Sequence, residues 1–258
     1  MVQFVKGFDI SKHKPEIDWE LVQSQDIHFV FIKATQAADI VDPKFLEHWE
    51  NAKRAGMLRG AYHFMDPDMD GKAQAQLFLR TVKLEPGDLP PVLDIEKLPV
   101  DKGKGKKGGK GAGAKDGNQK KGLKAAEKIN SQIISCANSW LEIVKAETGR
   151  IPIVYSSAKF LGERLTLKGK PPGWAMQYPI WIAQWLTPPI REESQPTPAR
   201  GWQPWLFWQY SNVGEVQGVY DDKERTKLTP VDMNYFNGTI EELYQFAGAP
   251  LAGAGVSS

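Results

Sequence analysis

The chain has 258 residues, 41% hydrophobic and 25% charged, with a formal net charge of +2, an ordinary globular balance that admits one sizeable α/β core. The small total charge argues against a surface given over to nucleic-acid contacts, and a single cysteine, Cys136, excludes an internal disulfide framework. No segment approaches the ~18 consecutive apolar residues of a membrane span, and the first six residues lack the apolar run of a secretory leader. The expectation is a soluble monomer, with no membrane or nucleic-acid partner, not exported by its own sequence.

Strand-like and helix-like segments alternate along the chain. Phe4 to Ile10 reads as a first strand with Asp9 at its end. Asp18 is placed to cap a short helix, and Phe29 to Thr35 is a uniformly apolar second strand, the pattern of a strand covered on both faces. Phe45, Leu46, Trp49, Ala52 and Ala55 recur at helical spacing up to Gly56, and Gly60 to Phe64 is the third strand. A helix over 73–84 ends before Pro86-Gly87, and the next strand, Val92 to Glu96, carries two acids at its exit.

Residues 101–122 hold eight Lys and eight Gly against two Asp, a formal charge of +6 that leaves −4 on the remainder. By composition this is a disordered, solvated insertion. Its Gly103-x-Gly105-x-x-Gly108 matches a dinucleotide fingerprint in letters only, since no helix opens at the last glycine. No aromatic residues are interleaved for base stacking, so loose attraction to an anionic polymer is the functional reading left to it. Beyond it, Ile129, Ile133, Ala137, Trp140, Leu141 and Val144 mark an amphipathic helix ending at Gly149. Strands follow at 151–156, 179–185, 206–211 and 231–236, then a helix over 239–246. The expected organisation is one barrel domain over 1–248, interrupted at 101–122, with a small-residue tail over 249–258.

Eight strands, with helices after the first five and little helix among the last three, suggest a modified TIM-like barrel. In a parallel barrel, chemistry gathers where the strands end. Asp9, Asp94, Glu96 and Asp232 fall there, from strands far apart in sequence. Asp94 and Glu96 are two apart on a strand, so they share a face about 6.6 Å apart at Cα. Crowded carboxyls cannot all ionise freely, which yields an acid and a base at one pH, the pair that glycoside hydrolysis requires. The bland alternative is a capping Asp and a solvated Glu.

Phe8-Asp9-Ile10-Ser11, Ile17-Asp18-Trp19, Phe31-Ile32-Lys33-Ala34-Thr35, Gly60-Ala61-Tyr62-His63-Phe64, Asp94-Ile95-Glu96, Trp181 to Trp185, Trp208-Gln209-Tyr210-Ser211 and Val231-Asp232-Met233-Asn234 together resemble the glycoside hydrolase family 25 lysozymes, the Chalaropsis type. The likeness runs in order from about residue 4 to 246, outside the insertion. It implies a (β/α)5(β)3 barrel that cleaves the β-1,4 bond between N-acetylmuramic acid and N-acetylglucosamine in bacterial peptidoglycan, outside the cell or after release by lysis, without metal or cofactor. Matched motif by motif, Glu96 is the general acid and Asp94 its partner, orienting the substrate acetamide or acting on water. Asp9 and Asp232 complete the acidic floor. One departure is Gln36-Ala37 after Thr35, where the family usually has Glu-Gly. Gln keeps the hydrogen-bonding shape and loses the charge.

Tyr62, Phe64, Trp185, Trp208 and Tyr210 lie near strand exits and, with Gln36, are the candidate sugar contacts. Of the histidines, His13, His28, His48 and His63, none has metal-ligand spacing, and His63, next to Tyr62, faces the other side of its strand, where a buried imidazole is expected. Cys136 reads as a buried, inert thiol. A second class of function is a carbohydrate-binding barrel that has lost catalysis, with Gln36 as its first sign; keeping four like charges together argues against it.

Overall fold

The computed structural model describes residues 4–14, 16–100, 115–186 and 194–250, with backbone alone for 115–121. In chain order the elements are β1 (Val5–Ile10), β2 (Glu16–Ile17), α1 (Trp19–Gln23), β3 (Phe29–Gln36), β4 (Ile40–Val41), α2 (Phe45–Arg54), β5 (Leu58–Phe64), α3 (Gly71–Thr81) and β6 (Val92–Asp94). They continue with α4 (Lys115–Thr148), β7 (Ile153–Ser157), α5 (Ala158–Glu163), β8 (Ile180–Ala183), β9 (Trp205–Gly214), β10 (Val219–Tyr220), β11 (Val231–Phe236) and α6 (Ile240–Ala247).

Eight strands close into a barrel in the order β1-β3-β5-β6-β7-β8-β9-β11, with β11 returning to β1. Each pairing from β1 through β9 is parallel, and β11 alone runs against both of its neighbours. This corrects the placing of Asp232 at a strand's exit. Asp232 lies near the start of β11, not its end, and it reaches the common mouth because the strand is reversed, directly opposite Asp9.

Side-chain alternation builds two cores. Phe29, Phe31, Trp181, Phe207 and Phe236 fill the barrel interior, while their neighbours Val30, Ile32, Ile182 and Trp208 face outward to the surrounding layer. Inside, the rings of Phe31 and Trp181 stack at 4.4 Å, and Phe207 meets Phe29 and Phe31 edge to face at 5.2 and 5.1 Å. Two glycines make room for them. A Cβ at Gly7 would stand 2.6 Å from the Phe29 ring, and one at Gly60 would stand 2.5 Å from Phe31. Near the start of β5, buried Arg59 is clamped by Asp88 at 2.7 and 3.3 Å and donates to the Trp49 carbonyl at 2.8 Å.

Local signals set the helix ends. Asp18 accepts from the Leu21 amide as the N-cap of α1, and Thr239 caps α6 in a reciprocal box with Glu242 before Gly248 closes it in the left-handed region. Helix α3 starts at Gly71, two residues earlier than expected, because Asp70 caps it; it ends at Thr81, where Val82 turns extended. Helix α4 reaches back to Lys115, so the later part of the Lys- and Gly-rich stretch is helical, contrary to its reading as disordered. Residues 101–114 and the tail from 251 lie outside the described residues. Cys136 is buried, and burial pushes its thiol up to about 12, leaving it unreactive near neutrality.

Candidate active site

The strand ends and the loops beyond them enclose a pocket of about 380 Å³, within the size range of ligand sites. Asp9, Asp94, Glu96 and Asp232 all line it, with Lys33, Tyr62, Phe64, Tyr155, Trp181, Trp185, Gln209 and Asn212. Asp94 and Glu96 share a face although β6 ends at Asp94. The Ile95 amide still donates to the Tyr155 carbonyl at 2.9 Å, and the Ser156 hydroxyl donates to the Ile95 carbonyl at 2.6 Å. Strand alternation is thereby carried past the strand, with Ile95 buried outward and the two acids turned inward.

The four acids sit at different depths. Asp94 is 6% exposed, and its Oδ1 has no hydrogen-bond partner among the described residues. Burial holds its pKa well above the usual carboxylate range; Glu96 and, more weakly, Asp9 add to the effect and Lys33 opposes it. Glu96 stands at the rim, open to solvent along its side chain. Its pKa is raised by the protein around the carboxyl, with Lys33 pulling down and Asp232 pushing up. Asp232 is raised by burial, against the pull of Lys14.

Asp9 is 7% exposed and anchors a polar network. Its Oδ2 accepts from Gln209 Nε2 at 2.9 Å and from Asn234 Nδ2 at 2.8 Å. Both amide orientations follow from donor chemistry. Gln209 Oε1 receives the Tyr155 hydroxyl at 2.9 Å and the Trp185 indole N–H at 3.0 Å, and Asn234 Oδ1 receives the Trp181 indole N–H at 2.8 Å. An indole N–H can only donate, so each amide must turn its NH₂ to Asp9. Burial and Asp232 nevertheless outweigh these donors and raise Asp9 well above its ordinary value, and Oδ1 is the atom left to carry a proton.

Lys33 lines the same pocket. Its ammonium donates to Gln36 Oε1 at 2.7 Å and lies 4.6 Å over the Phe64 ring. Burial lowers its pKa, while Asp94, Asp42 and Glu96 favour its charge. Among the described residues no group of three or more His, Cys, Asp or Glu side chains is arranged to hold a metal ion.

Tyr62, Phe64 and Trp185 line the pocket, and Trp185 is 56% exposed with its indole N–H tied down, a flat face offered at the mouth. Trp208 and Tyr210 do not reach it. They lie one residue out of phase with Phe207 and Gln209, so Trp208 is fully buried outside the barrel and donates to the Gln184 carbonyl at 2.9 Å. Tyr210 stacks on Tyr235 at 4.1 Å. Gln36 is not a lining residue and meets the pocket through Lys33. Sequence reasoning missed Lys33, Tyr155, Trp181, Gln209 and Asn212 as pocket residues. A parity signal was present for Gln209, two positions from the inward Phe207, and for Asn234, two from Asp232.

The family model for glycosyl hydrolases family 25 matches residues 8–219. The chain belongs to this family. As a family 25 glycosyl hydrolase it is 33% identical over 247 residues to Lysozyme M1 of Streptomyces globisporus, covering 94% of this chain and 71% of that protein. It is 27% identical over 253 residues to the N,O-diacetylmuramidase of Chalaropsis sp, covering 94% of this chain and 99% of that one. The crystal structure of the bacterial lysozyme from Streptomyces coelicolor superposes with a TM-score of 0.72 at 30% identity, covering 96% of this chain and 99% of that one. The TIM-like barrel of the family 25 enzymes is therefore the fold of this chain, and it is a hydrolase.

Proposed function

We propose that the chain is a lysozyme of the N-acetylmuramidase type, hydrolysing the β-1,4 bond between N-acetylmuramic acid and N-acetylglucosamine in peptidoglycan. The observation that carries this reading is the meeting of Asp9, Asp94, Glu96 and Asp232 in one pocket with an exposed Trp185 at its mouth. Glu96 is the general acid. It stands at the accessible rim, where a glycosidic oxygen can approach, and its surroundings favour the proton it must deliver. Asp94 is the partner at the floor, its Oδ1 without a hydrogen-bond partner among the described residues and able to meet the substrate acetamide or the attacking water. Asp9 and Asp232 crowd the same pocket, so the four carboxyls cannot all ionise together and the protonated forms of Glu96 and Asp94 are favoured. Tyr62, Phe64 and Trp185 pack on sugar faces.

One observation favours a second assignment. Asp94 is the more deeply buried of the two, and burial favours the protonated form of a carboxyl. Mass analysis of products from purified peptidoglycan tests both. Muramic acid at the new reducing ends supports the reaction, and binding without product leaves a carbohydrate-binding barrel instead. Glu96→Gln is expected to abolish cleavage of the wall and to retain activity on a glycoside with an activated leaving group, which needs no acid. If Asp94→Asn shows that selective rescue and Glu96→Gln does not, the two roles are exchanged.

A further inference from the structure

Glu96 lies in a stretch without regular secondary structure, and an exposed glutamate there has no strand to aim it. Upstream it is fixed by the barrel, through Ile95 on Tyr155 and Ser156 and through the Asp94 carbonyl, which accepts from the Met65 amide at 3.0 Å. Downstream the partners are two acids from the loop between β5 and α3. Asp66 pairs with the Lys97 ammonium, and Asp68 Oδ2 accepts the Val100 amide at 2.6 Å.

That loop is itself rigidly held. The fully buried Gln74 accepts from the Asp66 amide at 2.8 Å and donates to the Asp66 carbonyl at 2.9 Å. From α4, Gln132 donates to the Pro67 carbonyl at 2.7 Å and to Asp68 Oδ1 at 3.3 Å. A surface pair between side chains alone contributes little, but here the acids sit on a scaffold braced by two helices and grip both a side chain and a backbone N–H. We infer that Asp66 and Asp68 are positioning residues for Glu96: by holding Lys97 and Val100 they keep its carboxyl turned to the pocket. As a statement about catalysis this rests on the proposed role of Glu96; as a statement about geometry it does not.

The charged and titratable groups that face Glu96 across the pocket are Lys33 from β3, Asp9 from β1, Asp232 from β11, Tyr62 from β5, Tyr155 from β7 and Asp94 at the end of β6. Lys97→Met separates positioning from simple electrostatics because the two predict opposite signs. Loss of a nearby cation alone raises the midpoint of Glu96; loss of the tether lets the carboxyl swing into water and lowers it toward that of a free glutamate. The experiment is a titration of the Glu96 carboxyl by carbon NMR in wild type and Lys97→Met, with amide exchange over 95–100. A lowered midpoint, exchange at least about tenfold faster, and kcat down about tenfold or more with KM within about twofold are expected, since small misplacement of a reacting group is costly. A midpoint that rises or stays put overturns the inference. Asp68→Ala gives the same direction, and Asp68→Asn, which keeps an acceptor for Val100, restores wild-type behaviour. Loss of tethering in Asp68→Asn as severe as in Asp68→Ala also overturns it. If wild type cleaves no wall polymer while the midpoint still falls in Lys97→Met, the proposed function fails and the tether stands.

Discussion

Replacing Gln209 by Glu tests the network that holds Asp9. The substitution is isosteric and keeps the acceptor for Tyr155 and Trp185, but it turns a carboxylate oxygen toward Asp9 Oδ2 where Nε2 now stands at 2.9 Å. Two unit charges at that separation repel by about 6 kcal/mol at an effective dielectric constant of about 20. Keeping a proton on a glutamate of ordinary pKa at pH 7 costs about 3.7 kcal/mol, which is less, so the folded pair takes up a proton. The inserted acid then has a folded pKa above its unfolded one. Its share of stability is present below about pH 4.3 and is lost as pH rises toward the folded value, at about 1.4 kcal/mol per unit. Wild-type Asp9 itself holds a proton below its own raised pKa, so the penalty in Gln209→Glu grows only as pH rises past that value, and at pH 7 it is at most about 4 kcal/mol. Urea unfolding followed by tryptophan fluorescence at pH 5, 6 and 7 measures this. With the wild-type Asp9 midpoint read by carbon NMR, a difference that stays flat above that midpoint would mean that Asp9 is not the acceptor of this amide.

Other consequences are open to measurement. Arg59→Met strands Asp88 as an unpaired charge, so unfolding free energy should fall by about 3–5 kcal/mol, with Arg59→Met/Asp88→Leu recovering much of it. Gln36→Glu gives Lys33 a counter-ion and weakens its pull on Asp94 and Glu96, so the alkaline limb of the wall-lysis profile should move up; a downward move refutes the coupling. His63 is fully buried, bonded to Thr35 at 2.7 Å and Gln74 at 3.0 Å, and burial pulls its pKa down to about 4. A base held neutral in the fold costs stability as pH falls below its unfolded pKa of about 6.5, reaching on the order of 3 kcal/mol near pH 4. The raised acids of the pocket act in the opposite direction, so the effect is read as the difference between wild type and His63→Leu over pH 7 to 4.

The barrel and its acids were legible because they rest on local rules. Apolar runs marked strands, two-residue spacing placed Asp94 and Glu96 together, and the neighbour rule put His63 opposite Tyr62. Sequence did not reveal the reversal of β11, since a strand reads the same in either direction and only its pairing with β1 and β9 fixes its sense. Trp208 and Tyr210 were misplaced for a related reason. An aromatic beside a strand exit says nothing of its face until a neighbour of known facing, here Phe207, sets the phase. Gln209 and Asn234 escaped notice because neutral amides carry no charge signature; their importance lies in which way the amide is turned.

The antiparallel pairing of β1 with β11 brings together positions that synthesis separates by nearly the whole chain, with Asp9 and Asn234 lying 225 residues apart. Contacts so distant in sequence form late, after the intervening strands and helices have shortened the effective loop. A nascent or clipped barrel lacking β11 would hold Asp94 and Glu96 but leave Asp9 without its Asn234 donor. The four acids are thereby brought together only by the last strand, and a partly assembled polypeptide carries an unfinished pocket.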